Sequence, residues 1–220
     1  MMLDKFEPKV VIGQGLGKQE PWSVDLANKC NEKDISVWNE PLPDAKNPNL
    51  EMAQQWSDIL RQEITRETTA VLHSASVISY LDALSTHQDL SVKNLVLLAG
   101  WAEDPGQQDG RWGNAVQKIF KRNGLYHLEP FLKLVEKHQL IWETISNSVR
   151  KQIIIVQSTN DPYVHNDQAD FLKKNLPGSE IVMVKNAGHF QFRPKNGNRA
   201  EQNAQLPPEV QEKILKLIEN

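Results

Sequence analysis

One stretch constrains the fold more than any other: Thr68 to Tyr80. Its first half, Thr69-Ala70-Val71-Leu72, is apolar and β-branched with no charge after Glu67, which predicts a buried strand. Its second half places Val77, Ile78, Leu81 and Leu84 at helical spacing. Between the halves stands His73-Ser74-Ala75-Ser76. A serine at an abrupt strand-to-helix turn is lifted clear of the backbone, and the following helix aims its first amides at whatever the hydroxyl approaches. The usual form of such an elbow is Gly-x-Ser-x-Gly. Here Leu72 and Ser76 occupy the glycine positions. Glycines there let strand and helix pass closely around a strained turn, so on this stretch alone an ordinary turn containing serines is an equal reading.

Length and composition narrow the class. A chain of 220 residues predicts one domain with a full core. With 24% charged and 39% hydrophobic residues the composition is that of a globular protein. A net charge of −3 predicts neither a nucleic-acid nor a membrane partner. The single cysteine, Cys30, excludes an internal disulfide and fits a reducing compartment. No apolar run approaches the roughly 20 residues of a membrane span. Met1 to Lys9 is charged and lacks a signal-peptide apolar core, so the expected location is cytoplasmic.

The chain alternates strands with helices. Lys9 to Gly13 reads as a first strand, and Gly13-Gln14-Gly15-Leu16-Gly17 follows as a loop before a helix opening at Glu20-Pro21-Trp22-Ser23. The loop does not match a phosphate cradle. A Walker A loop needs glycine at Ile12 and Ser or Thr at Gln19, and the dinucleotide fingerprint needs glycine at Lys18. Such a loop can instead present an amide to a developing oxyanion, or be a plain tight turn. Further strands are expected at Asp34–Asn39, Asn94–Gly100, Gln152–Gln157 and Glu180–Lys185. Helices are expected after Asn49, through Ala169–Asn175, and over Val210 to Ile218. The segment Ala102 to Arg150 carries three helical patterns and reads as a helical insertion, either a cap over a site or a peripheral layer. The whole predicts a mainly parallel sheet of about six strands with helices on both faces.

In such sheets the site lies beyond the carboxyl ends of the strands. Ser74, Asp161 and His189 all fall there, in the chain order of α/β-hydrolases. A serine hydroxyl needs a base to remove its proton, and imidazole suits that task near neutrality. The imidazole needs a carboxylate to fix its tautomer. His73 lies on the strand side of the turn and is expected to have a structural role, and His87, His127, His138 and His165 have no evident partner in the sequence. No cluster has metal-ligand spacing, and no cofactor is expected.

These residues carry a resemblance. The glycine loop followed by Trp22, Asn39-Glu40-Pro41, Trp56, His73-Ser74, Ser158-Thr159-Asn160-Asp161-Pro162-Tyr163 and Ala187-Gly188-His189-Phe190-Gln191 together resemble the small serine-hydrolase family of α/β-hydrolases, the retinoblastoma-binding protein 9-like group. The likeness spans Lys9 to Leu98 and Gln152 to Gln191. It implies Ser74 as nucleophile, Asp161 as the acid and His189 as the base, with oxyanion amides from Ala75 and Leu16. The expected activity is carboxylesterase-like cleavage of an ester, thioester or amide in a small acyl substrate, with Trp101 and Trp112 lining an acyl pocket. A protein partner is not readable. The alternative, motivated by Leu72, is a binding protein on a hydrolase scaffold; a nucleotide-binding enzyme rests on the glycine loop alone.

Overall fold

The computed structural model describes residues 7–15, 19–43, 50–102, 133, 139–190 and 205–220. Among the described residues six strands form one sheet: β1 (Val10–Gly13), β2 (Val37–Trp38), β3 (Thr69–His73), β4 (Val92–Leu98), β5 (Val149–Ser158) and β6 (Glu180–Val184). Their order is β2-β1-β3-β4-β5-β6, and every pairing is parallel. The helices are α1 (Pro21–Asn31), α2 (Leu50–Glu63), α3 (Ala75–Thr86), α4 (Trp142–Ser148), α5 (Asp167–Asn175) and α6 (Pro208–Glu219).

Alternation along the strands sorts the core onto two faces, because successive side chains point to opposite sides. Val11, Leu72, Leu95, Leu97, Ile153 and Ile155 pack with α2, α3, α4 and α5. Val10, Ile12, Val71, Val96, Ile154 and Val156 pack with α1 and α6. Each fully buried Val, Leu or Ile contributes about 1.5–3 kcal/mol relative to exposure. Helix α3 lies at the centre of one face and is buried from Ala75 through Ser85. Its small residues, Ala75, Ser76 and Ser79, lie toward its start and permit close approach to the sheet.

The expected strands are all present, with shifted ends. The strand expected over Asp34–Asn39 pairs only at Val37–Trp38. Asp34 takes a left-handed φ of 56° while closing the turn after α1, so it cannot belong to the strand. The β4 pairing ends at Leu98 rather than Gly100, since Ala99 turns to φ 44°. Strand β5 is longer than expected, starting at Val149 directly after α4. Of the Ala102–Arg150 insertion, the third helical pattern appears as α4. The first two patterns, around Val116 and Leu128, lie outside the described residues.

The sheet order sets the site. From β1 the chain crosses outward to β2, then back past β1 to β3. The crossover direction therefore reverses between β1 and β3, and loops leaving the two strands diverge to leave a crevice there. The glycine loop leaves β1 and the His73-Ser74 turn leaves β3 at that point.

Candidate active site

Ser74 sits between β3 and α3 with φ 56° and ψ −120°. This is a costly backbone for a residue with a Cβ, roughly 1–3 kcal/mol, held only where the surroundings over-determine it. Several contacts hold it. The Ser74 amide donates to the Leu98 carbonyl at 3.0 Å, tying the turn to β4. The Ser76 hydroxyl lies 2.8 Å from the Gly13 carbonyl and 3.0 Å from the His73 carbonyl, and accepts from the His73 amide at 3.0 Å. The serine at the second glycine position of the elbow thus staples β1, β3 and α3 together.

Leu72, the departure from the elbow pattern, is accommodated by the neighbouring strand. Gly13 pairs with Leu72 across β1 and β3. A Cβ on Gly13 would lie 2.7 Å from Leu72 Cδ2 and 3.2 Å from Ser76 Oγ. A Cβ on Gly100 would lie 2.8 Å from Val77 Cγ1 of α3. The room that glycines usually provide within the elbow is provided here by Gly13 on one side and Gly100 on the other.

His189 reaches Ser74 from far across the sheet. Strand β6 is three places from β3, roughly 14 Å at the usual interstrand spacing. The chain after β6 must therefore fold back over the strand ends. It does so through left-handed residues: Asn186 (φ 57°), Gly188 (φ 62°) and Phe190 (φ 51°). The β5 loop holds this path. Asn186 donates its amide to Thr159 Oγ1 at 3.2 Å, Ala187 to Ser158 Oγ at 3.0 Å, and Gly188 to Asn160 Oδ1 at 2.8 Å. Ser158 Oγ in turn donates to Asn160 Oδ1 at 2.9 Å.

The three polar side chains then meet. Ser74 Oγ lies 3.0 Å from His189 Nε2, and His189 Nδ1 lies 2.7 Å from Asp161 Oδ2. Asp161 Oδ1 accepts from the amides of Tyr163 and Val164 at 2.8 and 2.9 Å. The ionised carboxylate can only accept, so the proton between the pair belongs to His189 Nδ1, and Nε2 is left with a lone pair facing the serine hydroxyl. The Tyr163 ring stands edge-on to the His189 ring, centroids 5.0 Å apart. All three side chains lie in buried residues, which strengthens the electrostatics of the chain. Such an arrangement can move a proton from Ser74 to His189 as the serine oxygen attacks a carbonyl.

The other expected site residues fall differently. Ala75 is the first residue of α3, where amides have no intrahelical acceptor and point outward from the helix start. Leu16 lies outside the described residues, but its neighbour Gly15 is in place, and a Cβ there would lie 2.8 Å from Ser74 Cβ. Gly15 therefore passes directly over the serine. Trp101 is buried in the core on the α3 side, just past β4. Trp112 lies outside the described residues. His165 has a carboxylate partner after all, Asp167 Oδ2 at 2.8 Å, at the surface. Cys30 is buried, and burial pushes its thiol up to about 11, which makes it a poor nucleophile. Among the described residues no His, Cys, Asp and Glu group could hold a metal, and no helix is long and apolar enough to cross a membrane.

Two sets of positioning residues were not legible in the sequence as such. Gln14 is buried; its side-chain oxygen accepts from the Glu20 amide at 2.8 Å and its nitrogen donates to Asn39 Oδ1 at 2.9 Å. Asn39 donates onward to the Ser23 carbonyl at 3.2 Å. These bonds anchor Gln14, at the start of the glycine loop, to the start of α1 and to the end of β2. Asn160 and Ser158 anchor the segment that leads into His189. The available signal was a polar run, Ser158-Thr159-Asn160, just past the apolar core Ile153-Ile154-Ile155-Val156 of β5.

A parallel sheet with helices on both faces, and a strained serine at the switch between outward and inward crossovers, define an α/β-hydrolase fold. Solved structures agree. The ydeN gene product of B. subtilis superposes with a TM-score of 0.70 at 15% identity, over 97% of this chain and 100% of that one. Est1E from Butyrivibrio proteoclasticus gives 0.62 at 14% identity, over 97% and 89% of the two chains. The esterase RhEst1 from Rhodococcus sp. ECU1013 gives 0.61 at 14% identity, over 97% and 91%. No curated protein matches the sequence. The family described as Serine hydrolase matches residues 11–206, nearly the whole chain, and the protein belongs to that family.

Proposed function

We propose that this serine hydrolase cleaves an ester, thioester or amide bond through an acyl-enzyme, with Ser74 as nucleophile, His189 as base and Asp161 orienting His189. The observation that carries the reading is the unbroken hydrogen-bonded chain from Ser74 Oγ through His189 to Asp161, 3.0 and 2.7 Å long in its two links. Ser74 Oγ bonds to the substrate carbonyl carbon as its proton passes to His189 Nε2. The carbonyl oxygen becomes an oxyanion, received by the Ala75 amide at the start of α3 and by the Leu16 amide of the glycine loop. The intermediate collapses, the C–O, C–S or C–N bond to the leaving group breaks, and His189 returns its proton to that group. Water, deprotonated by His189, then attacks the ester of Ser74 and releases the acid. Esterases among the proteins of similar fold favour a carboxylesterase-like activity on a small-molecule acyl substrate. Trp101 and Trp112 are proposed to bound its acyl group, and the proposed location is the cytoplasm.

A fluorophosphonate probe tests the reading, with the adduct located by mass. One adduct on the wild type and none on Ser74→Ala is expected. A folded wild type that takes no adduct overturns it and returns the molecule to the alternative of a binding protein on a hydrolase scaffold.

A further inference from the structure

The last residue of β3, His73, is completely buried yet carries a titratable ring beside the proposed base. Its Nε2 lies 2.8 Å from the main-chain carbonyl of His189. A carbonyl oxygen only accepts, so Nε2 carries the proton and donates. The other ring nitrogen, Nδ1, is buried with no hydrogen-bond partner among the described residues. Leaving a buried polar atom unpaired costs free energy and calls for a compensating use. The ring is also confined by its neighbours. Trp22 of α1 stands edge-on to it with centroids 5.8 Å apart, and the His189 ring lies over it at 4.8 Å, tilted by 48°.

The placement matters because of what holds the base loop elsewhere. Asn186, Ala187 and Gly188 give their amides to side chains of the β5 loop. Those bonds tie the base to the acid. The His73 bond ties the base to the strand whose next residue is Ser74. We propose that His73 is a positioning residue: its Nε2–H clamps the His189 main chain to the end of β3 and so sets the distance between nucleophile and base. This rests on the triad reading above. The clamp has most to do once Ser74 is acylated. The serine then has no hydroxyl proton to give His189, and the Ser74–His189 bond that otherwise holds the ring is gone. His189 must still face the incoming water, and the His73 bond persists through that step.

Two substitutions separate the clamp from mere packing. In His73→Gln the side-chain amide nitrogen can occupy the place of Nε2 and keep the donor. In His73→Asn it can reach only the place of Nδ1. Histidine-labelled NMR reads the tautomer of His189 in each, and the fluorophosphonate reaction rate reads the geometry at Ser74. We expect a single fixed His189 tautomer, protonated at Nδ1, in the wild type and in His73→Gln, and averaged or broadened signals in His73→Asn. The probe reaction should slow about 10–100-fold in His73→Asn and stay within about threefold of wild type in His73→Gln. A His189 ring unchanged in folded His73→Asn overturns the proposal, as does His73→Gln behaving like His73→Asn. Should neither variant fold, the wild-type spectrum still decides: the clamp requires His73 neutral and protonated at Nε2, and an Nδ1-protonated His73 ends it. A wild type that does not react with the probe removes the catalytic reading, whereas the NMR result continues to judge the clamp by itself.

Discussion

The Ser74 side and the Asp161–His189 side of the candidate site are made rigid by different means. Around Ser74 the means are chiefly the close packing of adjacent strands and helix, with the Ser76 hydroxyl bonded to main chain at the same contact. A serine is held at φ 56° because β1, β3 and α3 press together, with Gly13 and Gly100 at the points of contact. Around Asp161 and His189 the means are polar. There the end of β5 and the segment after β6 are joined by the Ser158, Thr159 and Asn160 side chains, which accept from the successive amides of Asn186, Ala187 and Gly188. The difference follows from distance. Strands β1 and β3 are adjacent, so contact alone positions what leaves them. Asp161 and His189 come from strands two and three places from β3, where no strand pairing reaches. Only directed hydrogen bonds can fix a loop across such a gap.

Asp161→Asn should produce the largest effect. The amide oxygen can still accept from Tyr163 and Val164, which leaves the NH₂ facing His189 Nδ1. The ring must then carry its proton on Nε2, which cannot receive one from Ser74. The probe reaction and any ester turnover should fall by about 10³–10⁴-fold, with thermal stability nearly unchanged. A loss under tenfold would mean that the polar side of the comparison does not govern the base.

His73 bridges the two sides, and it makes the fold sensitive to acid. Burial, with the neighbouring His189 adding to it, lowers its ring from the usual 6.5 to about 3. Below pH 6.5 the unfolded chain therefore takes up a proton at this residue that the folded protein refuses. Stability is present in full above pH 6.5 and is lost progressively as pH falls toward 3, by a few kcal/mol from this residue. Urea titrations from pH 7.5 to 4.5 should show a steeper loss for the wild type than for His73→Gln, which has no ring to protonate. Parallel curves would refute the assignment.

On the steric side, Gly13→Ala should destabilise by about 1–3 kcal/mol, because the new methyl meets Leu72 Cδ2 at 2.7 Å. Leu72→Ala alone opens a cavity and costs about 2–5 kcal/mol. Together the two should cost less than their sum by about 1 kcal/mol or more, since each relieves the other. Strict additivity in chemical denaturation would show that the two strands do not share the role of the elbow glycine.

The smallest effect is expected from Asn160→Ala. It removes an acceptor from the Gly188 amide and from Ser158. A loss of about 1 kcal/mol in stability should accompany roughly tenfold slower probe reaction. A stability loss without a rate loss would make Asn160 a fold element only.

Much of this was legible in the chain. The cores of β1, β3, β4 and β5 were visible as apolar runs, since a strand core buried on both faces admits no charge, and the order Ser74, Asp161, His189 pointed to one edge of a parallel sheet. Strand ends were less legible, because single left-handed residues such as Asp34 and Ala99 end the pairing without a composition signal. The elbow was misleading in one respect. Leu72 looked like a defect when compared with a linear pattern, yet its compensation sits on another strand, at Gly13. His165 looked unpaired until Asp167 was seen beside it.

By itself, then, the sequence determined the class of fold, the loops that bear the reactive side chains and the chemistry those side chains are suited to. Hydrophobic period and residue type are local properties, and they survive in a string of letters. The tertiary structure alone decided that a β6 loop doubles back roughly 14 Å across the sheet, that Gly13 makes room for Leu72, and that His73 grips the carbonyl of His189. Those are contacts between residues distant in the chain. They depend on strand order and on hydrogen-bond geometry to within tenths of an ångström, which no single stretch of sequence contains.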